Sequence, residues 1–460
     1  MAFIKDRLYV EELNDFDKNN LTIVTDEGDI KCFDEIEVSG KKYYRIPRYF
    51  KFVKDVEDLS TIGEDIDINL NPNFKPLNEQ QENAINAIVD NIHGLVSARV
   101  GFGKTYVAVN AITKIKKRTL IVVHVSTEDG LMDQWKNSLL RYTDIKEDDI
   151  GYLTSKTKVI DKPIYLTTVQ TLLSRVKRDD KDFFDMMYDG NFGVTFYDEC
   201  HITASSAEFS ESTKTVFSRR MYGLSATLIR RDSLAPILIW NMGKTIYDDG
   251  QWFVLPIYAG LLDIPIKMGG YARYLEYGNA SSWSAKYAKF LSKKEDYLRS
   301  LAIIVDKCLE QGRNPLVLSS QISLLYTIAQ FSKYPEDISI VHGTVKNKDY
   351  NKRCILATLG MFKVGMDVPR LDTLIFATPL TAKNGLIQAI GRVARLYAPV
   401  PNKKVMLIDI VNPTYQKTVD MRNIRKKYYQ EINEHSTEGC TQVKLNCIDD
   451  IDKLIRFCNK

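Results

Sequence analysis

The chain has 460 residues, 44% of them hydrophobic and 27% charged, and a formal net charge of +4. That length is too great for a single hydrophobic core and fits two domains of about 150–200 residues with appendages. No apolar run approaches the roughly 20 residues of a membrane span, and Met1-Ala2-Phe3-Ile4-Lys5-Asp6 lacks the apolar stretch of a signal peptide, so a cytoplasmic protein is expected (host cytoplasm if a phage encodes it).

Residues 1–72 hold 10 basic and 17 acidic residues, whereas the remainder holds 53 basic and 42 acidic. A basic body behind an acidic front suits a polyanionic partner. The front reads as short strands with turns, a small β-rich accessory domain. Inside it lies Lys41-Lys42-Tyr43-Tyr44-Arg45-Ile46-Pro47-Arg48-Tyr49-Phe50-Lys51-Phe52, basic and aromatic without an acid. Two readings stand. In one, bases stack on the rings while phosphates meet the cations, which makes Tyr43, Tyr44, Arg45 and Arg48 nucleic-acid contacts. In the other, this is an amphipathic edge strand with its aromatics turned inward and its charges solvated.

A polar linker over 63–76, with two prolines, leads into a first large domain spanning 73–240. Short apolar strands are predicted at 94–98, 119–124, 163–167, 193–197 and 221–225, alternating with helical patterns, so the sheet is parallel and covered by helices. The alternation pauses over 241–300, an aromatic-rich connecting segment. It resumes with strands at 315–319, 338–341, 353–358, 373–377 and 404–410, a second α/β domain over 301–420. A basic helix at 422–431 and a tail close the chain. Seven scattered cysteines, an odd number, point to reduced thiols. Cys440, Cys447 and Cys458 with His435 match no usual zinc spacing, and are read as ordinary cysteines.

Gly101-Phe102-Gly103-Lys104-Thr105 sits between a predicted strand and a predicted helix. Glycines there let the backbone amides approach anionic oxygens; in a phosphate-binding loop Lys104 would reach the outer phosphates of a nucleotide and the Thr105 hydroxyl would ligate Mg²⁺, the other reading being a plain glycine-rich turn. Ala98 stands where the usual first glycine of such a loop would be. The strand at 193–197 delivers Asp198-Glu199-Cys200-His201 at its carboxyl end, beside that loop if the two strands are neighbours. Asp198 can hold Mg²⁺ and Glu199 can accept a proton from the water that attacks the γ-phosphate. Far downstream, Gln388-Ala389-Ile390-Gly391-Arg392-Val393-Ala394-Arg395 offers two arginines on one helix face, able to meet a γ-phosphate from outside.

This ordered set, with Gly223-Leu224-Ser225-Ala226-Thr227 and Gly365-Met366-Asp367-Val368-Pro369, resembles the superfamily 2 helicases of the DExH type over about residues 74–412. The resemblance implies two tandem RecA-like parallel-sheet lobes behind the small β-rich domain, ATP and Mg²⁺ as cofactors, and DNA as partner. Gln81 stands where the family reads adenine, although Asn78 and Gln80 replace its usual arginine and tyrosine. By this resemblance Gly365 and Asp367 are expected to lie towards the nucleotide, Ser225, Ala226 and Thr227 to couple hydrolysis to grip, Arg395 to be the arginine finger, Arg392 a second γ-phosphate contact, and Gln388 to orient water or phosphate. It also implies that Ser126, Thr127, Thr168, Gln170 and Thr358 face nucleic acid, through hydroxyls and amides that bind phosphate without reading sequence. Trp135 is read as a core anchor. Within the family the chain most resembles phage UvsW-like helicases, through 223–232, the DECH tetrad and the compact layout. The expected function is unwinding or branch migration of forked and junction DNA, without an obligate protein partner; an RNA helicase or a duplex translocase subunit are the alternatives.

Overall fold

The computed structural model describes every residue except 1, 26–27, 52, 125–129, 155, 204–209, 227–234, 277–279, 346–347, 363–367, 381 and 460, and within elements it leaves out the side chains of 25, 28, 202–203, 235, 276, 280–282, 362 and 384. The chain forms two compact units, Met1–Gly250 and Gln251–Lys460.

The front of the first unit contains strands β1 (Ala2–Ile4), β2 (Leu8–Val10), β3 (Thr22–Thr25), β4 (Gly28–Lys31), β5 (Asp34–Val38), β6 (Lys41–Ile46) and β7 (Val56–Asp58). β3 and β4 form a hairpin; the others make one sheet in the order β5-β6-β2-β1-β7. Strand β6 is flanked on both sides, so it is not an edge. Alternation turns Tyr43 onto Phe3, ring centroids 5.2 Å apart, and Phe3 in turn stacks on Tyr9 at 4.5 Å. Arg48 is 5% exposed and donates to the carbonyls of Lys5 and Ser218, each at 2.6 Å. Arg45 pairs with Asp34 and, at 3.8 Å, with Asp6. The Tyr44 hydroxyl accepts from Lys18 Nζ at 3.1 Å. The nucleic-acid reading of Tyr43, Tyr44, Arg45 and Arg48 is therefore corrected: Arg48 is spent on backbone carbonyls, Arg45 on two carboxylates, and the two rings on packing and on Lys18, all inside the unit. Arg7 and Arg48 instead fasten the small sheet to the larger one, Arg7 through Ser210 O at 2.9 Å and Thr213 Oγ1 at 3.1 Å.

The larger sheet of this unit holds β8 (His93–Ser97), β9 (Thr119–Val123), β10 (Ile150–Tyr152), β11 (Ile164–Thr168), β12 (Val194–Asp198), β13 (Arg220–Ser225) and β14 (Thr245–Asp248). All pairings are parallel, in the order β10-β11-β9-β12-β13-β8-β14. Every residue of β9 and β12 is buried, which is what a strand covered on both faces requires. β8 and β12 are not neighbours; β13 lies between them.

The second unit carries β15 (Ile257–Asp263), β16 (Pro315–Ser319), β17 (Ile338–Val341), β18 (Cys354–Thr358), β19 (Thr373–Phe376), β20 (Val405–Val411) and β21 (Cys440–Leu445). This sheet is also wholly parallel, ordered β17-β18-β16-β19-β20-β15-β21. Val317, Leu356, Ile375 and Ile408 line one face, and Leu318, Ala357, Leu374 and Leu407 the other, the period of two expected of strands sandwiched by helices. The stretch 241–300 is shared out: β14 completes the first large sheet and β15 enters the second. The final 40 residues likewise build on the second sheet, through the helix Gln416–Glu434, β21 and the helix Asp450–Asn459. Beneath the first of these helices, Arg425 meets the buried Asp409 through Nε at 3.0 Å and Nη2 at 2.6 Å, and its Nη1 donates to Leu380 O at 3.2 Å. Cys440 and Cys458 are buried in separate apolar clusters. Among the described residues no helix is long and apolar enough to cross a membrane.

Candidate active site

Loop 98–103 turns from β8 into the helix Lys104–Ile115. Gly101 and Gly103 adopt φ of 82° and 89°, a region that side-chain-bearing residues rarely enter. A Cβ on Gly103 would stand 2.8 Å from Gln81 Nε2. Gln81 clamps the loop: Nε2 donates to Phe102 O at 2.6 Å, and Oε1 accepts from Leu77 N at 2.8 Å. The Lys104 ammonium lies within the curve of the loop, donating to Ala98 O at 2.9 Å and Arg99 O at 3.3 Å. Thr105 occupies the first turn of the helix. Arg99, unforeseen from the sequence, lies over the Phe102 ring and pairs with Asp249 just beyond β14.

Asp198 ends β12, 7% exposed. Its Oδ2 accepts from Trp135 Nε1 at 2.8 Å and its Oδ1 from Glu199 N at 2.9 Å. Burial first, and then the Glu199 carboxylate beside it, push its pKa up to about 6; Trp135 and Lys104 act in the opposite sense. Glu199 has φ of 48°, a left-handed conformation that costs a non-glycine residue roughly 1–2 kcal/mol. Trp135 is therefore both a core anchor, 1% exposed, and a donor to the acidic pair. The second role depends on a partner 63 residues along the chain.

Because β13 separates β8 from β12, the carboxylates and the phosphate loop meet across its end. Ala98 N donates to Ser225 O at 3.0 Å. Ser225 Oγ lies 2.9 Å from His201 Nδ1, which is also 3.2 Å from Glu199 Oε2. Ser225 is fully buried and His201 nearly so. Loop, strand end and acidic tetrad thus form one connected set, with His201 as the member the sequence did not single out. Ala226 is buried beside Ser225; Thr227 lies outside the described residues.

In the second unit, Gln388 and Arg392 are half-buried on the helix Lys383–Val393, and Arg395 follows just after it. Lys383 at the start of this helix pairs with Glu431 of the helix Gln416–Glu434. Burial pushes the Arg395 guanidinium down to about 10, so an anion brought to it is bound with less competition from water. Thr358 ends β18, half-buried. Gly365 and Asp367 lie outside the described residues.

At the carboxyl ends of β11 and β9, Thr168 caps the helix Val169–Lys177, its Oγ1 accepting from Thr171 N at 3.1 Å. Gln170 Nε2 lies 3.4 Å from His124 Nδ1. Ser126 and Thr127 lie outside the described residues. Among the described residues no group of three or more His, Cys, Asp or Glu side chains could hold a metal ion. One carboxylate and one hydroxyl, Asp198 and Thr105, nonetheless fit Mg²⁺, a hard cation that keeps several waters and takes its other ligands from phosphates.

Residues 74–230 match the family model described as "Type III restriction enzyme, res subunit". A protein of Acanthamoeba polyphaga mimivirus, named as an ATP-dependent RNA helicase, is 26% identical over 86% of this chain and 76% of its own length. The DNA 3'-5' helicase XPB of Kineococcus radiotolerans is 27% identical over 72% of this chain and 59% of its own. Among solved structures, S. cerevisiae Dbp5 bound to RNA and ADP BeF3 aligns over 83% of this chain and 92% of that one, with a TM-score of 0.54 and 13% identity. The last likeness establishes the fold, two tandem RecA-like lobes.

Proposed function

The chain belongs to superfamily 2 of the ATP-dependent helicases, and from that premise we propose that it translocates on DNA and unwinds or branch-migrates forked and junction DNA. The observation that carries the motor reading is the connected set Ala98–Ser225–His201–Glu199, which ties the phosphate loop to the acidic tetrad through a strand end. DNA is supported by the alignment with the bacterial DNA helicase, and the junction by the likeness of 223–232 to phage branched-DNA helicases. A second reading, an RNA helicase, is favoured by the mimivirus alignment, which spans more of the chain.

In the proposed cycle, water oxygen bonds to the γ-phosphorus while the bond to the β-γ bridging oxygen breaks. Glu199 accepts the proton of that water, and Gln388 orients water or phosphate. Lys104, Arg392 and Arg395 hold the charge that spreads over the phosphoryl oxygens, an arrangement in which chemistry is mostly positioning and electrostatics. Thr105 and Asp198 would hold Mg²⁺, which would neutralise phosphate charge. Gln81, Gly101, Gly103, Gly365 and Asp367 position the nucleotide. Ser225, Ala226, Thr227 and His201 transmit its state, and Ser126, Thr127, Thr168, Gln170 and Thr358 bind the nucleic-acid backbone.

The test is strand separation by the full chain on a tailed DNA duplex, a DNA fork, a four-way junction and an RNA fork, at one stated salt concentration because phosphate-dominated affinity falls steeply with salt. The DNA fork and junction are expected to be resolved fastest. Faster unwinding of the RNA fork would install the second reading, and ATP turnover on duplex DNA with no strand release would make the chain a translocase.

A further inference from the structure

Residues 264–294 contain six basic residues and a single acid, Glu276, so this short stretch carries more net positive charge than the whole chain's +4. It follows the carboxyl end of β15, and because the sheet is wholly parallel this is the edge at which Thr358 also lies. The helix Ala280–Leu291 buries Trp283, Tyr287, Phe290 and Leu291. Lys289 is exposed on this helix with the half-buried Lys286 one turn before it, and the exposed Lys293 follows just past its end. The buried side is anchored firmly: Trp283 stacks on Tyr287 with centroids 5.1 Å apart, and its Nε1 donates to Tyr415 Oη at 3.1 Å.

Solvated helix faces usually interleave charges of both signs. Here they do not. Lys267, Arg273, Lys289 and Lys293 are all exposed, and among the described residues none of them holds an ion pair; Glu295, the next acid along the chain, is taken by Arg299. Two further features extend the surface. Tyr274 is 51% exposed with Lys286 Nζ 4.8 Å above its ring, and Lys417 reaches over Trp283 from the helix Gln416–Glu434. Concentrated cations on a rigid support, with an exposed ring beside them, complement a phosphate backbone.

We propose that this helical segment is an additional duplex-binding surface, gripping phosphates through Lys267, Arg273, Lys289 and Lys293; the proposal rests on the nucleic-acid motor reading above. The test is the salt dependence of duplex DNA affinity for the full chain, for Lys289→Gln/Lys293→Gln and for Lys289→Arg/Lys293→Arg. Each lost phosphate contact flattens the slope of log K against log salt by about 0.9, so the glutamine pair is expected to flatten it by about 1.8 and the arginine pair to keep the wild-type slope. Lys267→Gln/Arg273→Gln, at separate exposed positions, is expected to act in the same direction. A wild-type slope in both glutamine pairs would overturn the surface while leaving the motor standing. Wild-type chain that binds neither DNA nor RNA would instead overturn the motor reading, and this surface with it.

Discussion

At Asp198 two demands compete. In its proposed role the side chain must be a carboxylate to hold Mg²⁺, yet it is buried against Trp135 and Glu199, and its pKa rises to about 6. A raised carboxyl pKa means that the protonated form persists to higher pH, so protons and Mg²⁺ contend for the same oxygens. ATP turnover at limiting Mg²⁺ is therefore expected to fall as pH drops through about 6, and to recover when Mg²⁺ is raised. A pH–rate profile at two Mg²⁺ concentrations measures this, and an acid limb that Mg²⁺ does not move would contradict it. Lys104, Asp198 and Glu199 are legible in the sequence because each belongs to a short local pattern, a loop after a strand or acids at a strand end. Trp135 and His201 are less so, since their partners lie 63 and 24 residues away. Arg48 misled for the same reason: its carbonyl partner Ser218 is 170 residues distant, and nothing local distinguishes a buried arginine from one awaiting a phosphate.

Among the elements, β13 has the largest consequence for the site. Its placement between β8 and β12 makes Ser225 the bridge between phosphate loop and acidic tetrad. A double-mutant cycle separates structure from coupling: His201→Ala and Ser225→Ala each remove one side of this contact, and His201→Ala/Ser225→Ala removes both. Nucleic-acid stimulation of ATP turnover is expected to be lost in His201→Ala and in the double variant to the same extent, with strongly non-additive energies. Independent, additive effects would show that the contact transmits nothing. Strands buried on both faces, such as β9 and β12, could be read from their continuous apolar runs. Their lateral order could not, because it is set by pairings between distant segments.

Over the whole molecule, the sequence reveals two α/β units because hydrophobic periodicity is local, and it hides how their margins are drawn. Strand β15 lies in a stretch whose tyrosines, tryptophans and scattered glycines obscure the apolar run 257–262, and β21 alternates too weakly, with Thr441 and Lys444 facing solvent. Both are nevertheless integral to the second sheet. The proposed function divides in the same way: the loop and acids belong to the first unit, the arginines to the second, and turnover is proposed to need both. The most direct measurement is steady-state ATP turnover, with and without DNA, by Lys104→Ala and by Arg395→Ala alongside their DNA affinity. Both variants are expected to bind DNA nearly as the wild type does, with turnover abolished in Lys104→Ala and reduced by about 10³-fold or more in Arg395→Ala. Wild-type turnover in either variant would contradict the account.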